Sequence, residues 1–265
     1  MKNVLLLLHD DEGQEARLQV ALDVTRALSG HLTGVDVFVP PVIVSDYAGV
    51  ADLAVLGEYR EKEARSLAAL KGRLAREDIS WDIVEECGDP AAEIRNVAGL
   101  ADLIVVTSHS DQPEGLSARR IAAELAAKSD SPVLAVPPGC TGLNVGGRVL
   151  VAWDGSPESD VALRAALPLL QLASDVTIIE VTRAEGHPSP EEAATYLSRH
   201  GIHARAVEKV TDDPVSDAIL ARARAIGASY IVMGAFGHNR MVEALFGGVS
   251  RDMLEKSEIP LLLAH

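Results

Sequence analysis

The sequence predicts an α/β protein built from two tandem, open, five-stranded parallel sheets, each with helices on both faces. Three observations predict it. Short β-branched apolar runs alternate with longer amphipathic stretches along the whole chain, and such runs, lacking polar alternation, suit strands buried on both faces. The second half repeats the first: VLLLL at 4–8 returns as VLVAW at 149–153, GDPA at 88–91 as DDPV at 212–215, and KSDSPVL at 128–134 as KSEIPLL at 256–262. Between the halves the Pro- and Gly-rich PPGCTGLNVGG at 137–147 reads as a linker.

The repeat offsets place about 21 extra residues after the first strand of the first half, near 40–58. The expected division is 1–138, a linker at 139–146, and 147–265. In the second half the strand runs are 149–153, 176–181, 204–207, 230–233 and 261–264. Ser156 is a good N-cap, Pro157 fits the first helical position, and Glu158 sits favourably against the helix dipole. Pro168 is expected to kink that helix. Asp213-Pro214 should start a later helix in the same way. The first half reads likewise, with 61–75 as its longest helical stretch and 40–56 as an apolar insertion without a clear template. The fifth strands, 133–136 and 261–264, read as long uncharged edges that invite pairing.

Composition bounds the function. With 265 residues, 48% hydrophobic and 24% charged, the chain is not disordered. Aromatics at 3% argue against a base-stacking platform. A net charge of −15 repels nucleic acid and anionic membranes, although a small phosphate can bind where one pocket offers local donors. Cys87 and Cys140 show no metal spacing, which suits a reducing cytosol. The apolar opening at 4–8 is too short for a signal-peptide core or a membrane span. A cytoplasmic protein is expected.

An open parallel sheet holds its ligand at the strand carboxyl ends, where strand order reverses. After the fourth strand of the second half the chain reads G-x2-G-x9-G-G-x-S, with Gly234, Gly237, Gly247, Gly248 and Ser250. Glycines there let the backbone turn and approach a ligand. Gly247 to Ser250 would open the last helix, whose first amides attract an anion. On pattern alone, a phosphate cradle and plain turn chemistry both remain open.

This spacing, with Asp154-Gly155-Ser156 after the first strand of that half, resembles the universal stress protein family, and the tandem repeat resembles its two-domain members. The resemblance covers nearly the whole chain and implies a Rossmann-like, adenine nucleotide alpha hydrolase-like fold. It implies an adenine nucleotide, ATP or AMP/ADP, with magnesium as its companion. By position, Ala152, Trp153, Asp154 and Gly155 would border the adenosine and Val181 would offer backbone contacts to adenine. Met233 and Gly234 would lie beside the ribose. Gly237, His238, Gly247, Gly248, Val249 and Ser250 would cradle the phosphates. The family's pattern has Ser or Thr directly after the third glycine, where this chain has Gly248. One hydroxyl is lost at the phosphate end, and Ser250 is the candidate to compensate.

The first half fails the same test. Thr107-Ser108-His109-Ser110-Asp111 follows its fourth strand, Arg119 and Arg120 replace the glycine pair, and Asp111 and Glu114 add negative charge. No nucleotide site of this type is expected there, although the two arginines could themselves hold a phosphate or carboxylate.

Other clusters carry less. Asp154 reads either as a ribose or magnesium contact or as the acceptor that caps its own turn. His238 and Arg240 read as phosphate contacts or as solvated loop residues. His200 and His203 straddle Gly201 at a helix end and make a poor metal pair. Cys87 has no adjacent base and reads as structural. His9-Asp10-Asp11 resembles a receiver-domain acid cluster, but the acceptor Asp and the Lys such a domain needs are missing. Domains of the family pair through the fifth-strand edge, which implies that the two halves meet so within one chain; a homodimer of the whole chain stays open. The leading expectation is one adenine-nucleotide site, in a binding protein of stress physiology without fast turnover. A phosphate-ester hydrolase or transferase using Asp154, His238 and a metal, or a nucleotide-free interaction module, are the alternatives.

Overall fold

In the computed structural model, residues 1–39, 50–110, 117–182, 189–237 and 248–265 are described. The first half contributes strands β1 (Asn3–Leu8), β2 (His31–Phe38), β3 (Ser80–Cys87), β4 (Leu103–Thr107) and β5 (Val133–Val136). Its helices are α1 (Gln14–Leu28), α2 (Val50–Leu74), α3 (Pro90–Val97) and α4 (Ala118–Lys128). The second half contributes β6 (Arg148–Ala152), β7 (Asp175–Thr182), β8 (Ala204–Val210), β9 (Ala228–Gly234) and β10 (Leu261–Ala264). Its helices are α5 (Pro157–Leu170), α6 (Pro190–Arg199), α7 (Val215–Ile226) and α8 (Val249–Lys256).

The two five-stranded parallel sheets join into one ten-stranded sheet in the order β3-β2-β1-β4-β5-β10-β9-β6-β7-β8. Every pairing is parallel except the seam, where β5 and β10 run antiparallel through Leu262↔Leu134. Those strands are wholly buried, so the uncharged edges expected from sequence cover each other. β3 and β8 are left at the outer margins, where polar and charged residues such as Asp82, Glu85, Arg205 and Lys209 blunt further pairing.

Side chains alternate across the sheet. Val4, Leu6 and Leu8 enter the core beneath α1, α2, α5 and α6, while Leu5 and Leu7 enter the core beneath α3, α4, α7 and α8. Each core runs through both halves, so the seam is continuous hydrophobic packing and not a hinge.

Helix starts follow local chemistry. Ser156 Oγ accepts the Ser159 N–H at 3.2 Å with Pro157 first in α5. Asp89 Oδ1 accepts the Ala92 N–H at 3.1 Å ahead of Pro90 in α3. The second Asp-Pro pair departs from this: Pro214 itself is the cap of α7, and Asp213 accepts instead from Thr211 Oγ1 at 3.2 Å. The long first-half helix also begins earlier than expected, at Val50, taking in part of the insertion. Residues 40–49 lie outside the described residues. The linker is docked, with the Leu143 N–H donating to Asp23 Oδ2 at 2.8 Å and Leu143 and Val145 buried. No described helix is long and apolar enough to cross a membrane.

Candidate functional site

Strand order in the second half reverses between β6 and β9, which pair through Ala152↔Met233. At their carboxyl ends opens a cleft of about 500 Å³, a size typical of small-molecule sites. Ala152, Trp153 and Asp154 leave β6 to form one wall, and Ile179 and Val181 of β7 form the next. Met233 and Gly234 close β9, with Phe236 and Gly237 just beyond; Val249 and Ser250 of α8 face them. One side is therefore apolar, extended by Val215 and Ile219 of α7, and the other carries Asp154, Ser156, Glu158, Ser159 and Ser250.

Of the residues expected from sequence, Ala152, Trp153, Asp154, Val181, Met233, Gly234, Gly237, Val249 and Ser250 come together in this lining. Gly155 does not line it; at φ +73° it serves the turn after β6, a left-handed conformation suited to glycine. Gly248 lines a neighbouring cavity instead. His238, Arg240 and Gly247 lie outside the described residues.

Two glycines face the cleft for different reasons. A Cβ on Gly234 would stand 2.5 Å from the Ser159 amide nitrogen and 2.7 Å from the Glu158 carbonyl carbon, so backbone approach itself requires glycine. A Cβ on Gly237 would meet only Glu158 Oε2 at 3.5 Å, an ordinary contact, so protein packing does not demand glycine there. Between them Phe236 takes φ +54°, sparsely populated for a bulky residue. Its N–H donates to Ser250 Oγ at 3.2 Å, tying the β9 loop to α8.

The polar groups are set by their neighbours. Asp154 Oδ1 accepts from the Ser156 N–H at 3.0 Å and from Ser156 Oγ at 2.6 Å, so this oxygen caps the turn. Trp153 is buried, with Nε1 donating to Asp160 Oδ1 at 3.0 Å. Glu158 is a second carboxylate in the cleft, only 8% exposed. The sequence places it against the helix dipole, in the first turn of α5; its approach to the β9 loop is a tertiary fact. Among the described residues no three His, Cys, Asp or Glu side chains converge to hold a metal.

The start of α8 supplies the donors. Gly248 caps it in an extended conformation with no side-chain cap, and its carbonyl accepts the N–H groups of Arg251 and Asp252. The N–H groups of Val249 and Ser250 make no bond to a described residue. They are first-turn donors without intrahelical partners, at the mouth of the cleft.

The corresponding corner of the first half is filled from within. Only about 10 Å³ remains between Leu7, His9, Asp11, Thr107, Ala118 and Ile121. The guanidinium of Arg17, 1% exposed, occupies the switch point between β1 and β4. Its Nε donates to the Leu7 carbonyl at 2.7 Å and Nη1 to Thr107 Oγ1 at 2.9 Å; Asp11 and the His9 carbonyl complete the shell. Burial pushes the guanidinium below its ordinary pKa, and Asp11 opposes that. The glycine at the helix–strand approach also changes sides: Thr107 stands where β9 has Gly234, and Gly13 makes room for it, since a Cβ there would lie 2.4 Å from Thr107 Oγ1. The expected obstruction by Arg119 and Arg120 is not what fills this corner. Arg119 pairs with Glu255 and Arg120 with Asp89. The one signal of Arg17 in the sequence is an arginine among the apolar residues Ala16, Leu18, Val20, Ala21 and Leu22 of α1.

Comparison with known proteins agrees with this two-fold plan. A family model described as the universal stress protein family matches twice, over residues 1–137 and 147–265. A universal stress protein from Archaeoglobus fulgidus DSM 4304 superposes with a TM-score of 0.77 at 19% identity, covering 99% of this chain and 96% of that one. A protein assigned to the same family from Pseudomonas aeruginosa UCBPP-PA14 gives a TM-score of 0.61 at 20% identity, covering 99% and 93%. At these identities the structural likeness is one of fold. No curated protein matches the sequence.

Proposed function

Since the chain belongs to the universal stress protein family, we propose that it binds an adenine nucleotide, at a single site in the cleft of its second half. The observation that carries this is the start of α8. Two first-turn amides with no partner among the described residues, and the Ser250 hydroxyl, stand at a cleft whose far wall is apolar, which matches a ligand with an anionic end and a flat apolar end. The base would lie along Ala152, Trp153 and Val181, and the ribose beside Met233 and Gly234. The carboxylates of Asp154 and Glu158 are acceptors suited to ribose hydroxyls. The phosphates would meet Gly237, Val249 and Ser250.

No cationic side chain lines the cleft among the described residues, so main-chain amides supply the positive potential. A magnesium ion would be held chiefly by the phosphates, with Asp154 as the candidate protein carboxylate, and would neutralise phosphate charge. With Gly248 where the family's pattern has Ser or Thr, AMP and ADP suit the site as well as ATP. The role that follows is that of a cytoplasmic, nucleotide-responsive binding protein in stress physiology.

The test is thermal denaturation with ATP, ADP and AMP. Ligand at 100 times its dissociation constant adds roughly 2.7 kcal/mol, or about 5–11 °C for a chain of this size. Gly237→Val should abolish that shift, while Ser110→Val should preserve it. No shift in the parent protein, or the same response in both variants, overturns the proposal.

A further inference from the structure

A second cavity, of about 450 Å³, opens between α4 of the first half and α8 of the second. Its floor is apolar, made by Ala123, Ala127, Leu254 and Phe236. Arg119, Arg120, Lys128 and Arg251 surround that floor, and no acidic side chain lines it among the described residues. In a chain of net charge −15 such a concentration of cations is a local reversal. Helical spacing explains it: Arg119, Ala123 and Ala127 follow one another at i, i+4 and i+8 along α4, and Arg251 and Leu254 at i, i+3 along α8.

The cation heads are held in place from outside the cavity. Arg119 pairs with Glu255 at 2.7 Å, Arg120 with Asp89 at 2.5 Å, and Lys128 with Glu124 at 2.9 Å. Arg251 forms no ion pair with a described residue. The site exists only because β5 and β10 join the halves within one chain, bringing α4 and α8 together.

We propose that this cavity is a second ligand site, selective for a small amphiphilic anion, an aryl or acyl body bearing one carboxylate, sulfonate or phosphate. A neutral apolar molecule would leave Arg251 unused. Inorganic phosphate would leave the floor unused. Only a molecule carrying both features matches what is built, with the body on Ala123, Ala127, Leu254 and Phe236 and the head at Arg251. The two cavities share Phe236 and the start of α8, but Arg119, Arg120, Ala123, Ala127, Lys128, Arg251 and Leu254 line only this one, so variants at those positions test it apart from the nucleotide assignment.

The probe is 1-anilinonaphthalene-8-sulfonate, titrated into the full chain by fluorescence, with the uncharged N-phenyl-1-naphthylamine in parallel. The expected result is saturable binding of one sulfonate probe per chain and clearly weaker binding of the neutral analogue. Arg251→Glu, at an exposed position, should weaken the sulfonate about tenfold or more. Ala123→Trp should fill the cavity and abolish binding, with circular dichroism melts checking that both variants fold. Absence of saturable binding to the parent, or unchanged affinity in both variants, overturns the proposal. Equal affinity for the neutral analogue overturns its anionic selectivity. Arg251 and Ala123 line only this cavity, so nucleotide binding measured on the same two variants separates failure of this proposal from failure of the nucleotide reading.

Discussion

Arg17 offers the sharpest perturbation, because its side chain stands in the first half where the second half leaves a cleft. Replacing it with Met keeps the length of the stem and removes every donor. The Leu7 carbonyl and Thr107 Oγ1, bonded at 2.7 and 2.9 Å, and the His9 carbonyl then lose that donor. Thr107 is 4% exposed and cannot turn to water. A buried acceptor left unsatisfied costs about 1–3 kcal/mol. Asp11 retains 29% exposure and recovers hydration, so its share is small. The lower part of the sum over these acceptors, about 3–5 kcal/mol, is the range typical of breaking a buried charged cluster by removing one member. At about 2–4 °C per kcal/mol for a chain of this size, the melting temperature should fall by roughly 6–20 °C. Arg17→Lys should recover only part of this, because an ammonium cannot reproduce the fork. Differential scanning calorimetry without ligand is the assay. A melting temperature within about 2 °C of the parent for Arg17→Met would refute the view that the guanidinium is an internal occupant holding this corner together.

Other outcomes follow from the same geometry. Gly234→Ala should lower thermal stability by about 1–3 kcal/mol, because its Cβ meets the backbone of Glu158 and Ser159, whereas Gly237→Ala should leave the unliganded melting temperature nearly unchanged; paired melts read the contrast. Acid stability should carry a term from Asp102, whose Oδ2 accepts the backbone N–H groups of Lys2 and Asn3 at 2.6 and 2.8 Å. Those bonds, the Lys2 one first, hold its pKa below the ordinary carboxylate value, so its contribution is present above about pH 4 and is lost as pH falls through the folded value. Asp102→Asn should therefore flatten the loss of stability below about pH 4 in denaturant melts, with little change in slope at neutral pH.

The framework was legible because its signals are local. Strands buried on both faces write themselves as unbroken apolar runs, as at Val149 to Val151 and Leu261 to Leu263, whatever packs on them. Ser156-Pro157 announced a helix start through a side chain that reaches only three residues onward, and Asp89-Pro90 is capped in the same local way. Asp213-Pro214 carried the same letters, yet the cap fell on Pro214, because the Asp213 carboxylate was drawn to the neighbouring Thr211. The cleft was legible as a place, since its glycines lie at a strand end. Its buried charges were not. Arg17 is fixed by groups from β1, the following loop and β4, and Glu158 by a crossing of α5 with the β9 loop. Such partners are distant in sequence, and no local spacing encodes them. The positive φ of Phe236, whose amide is tied to Ser250, is likewise not written in its neighbours.

One half of the chain presents first-turn amides without a described partner at its cleft, and the other is closed by its own arginine. Isothermal titration of the full chain with ATP and with AMP tests that contrast most directly. The expected result is one adenine nucleotide per chain, with Gly237→Val reducing that number to zero. Two nucleotides per chain, or one that survives Gly237→Val unchanged, would contradict it.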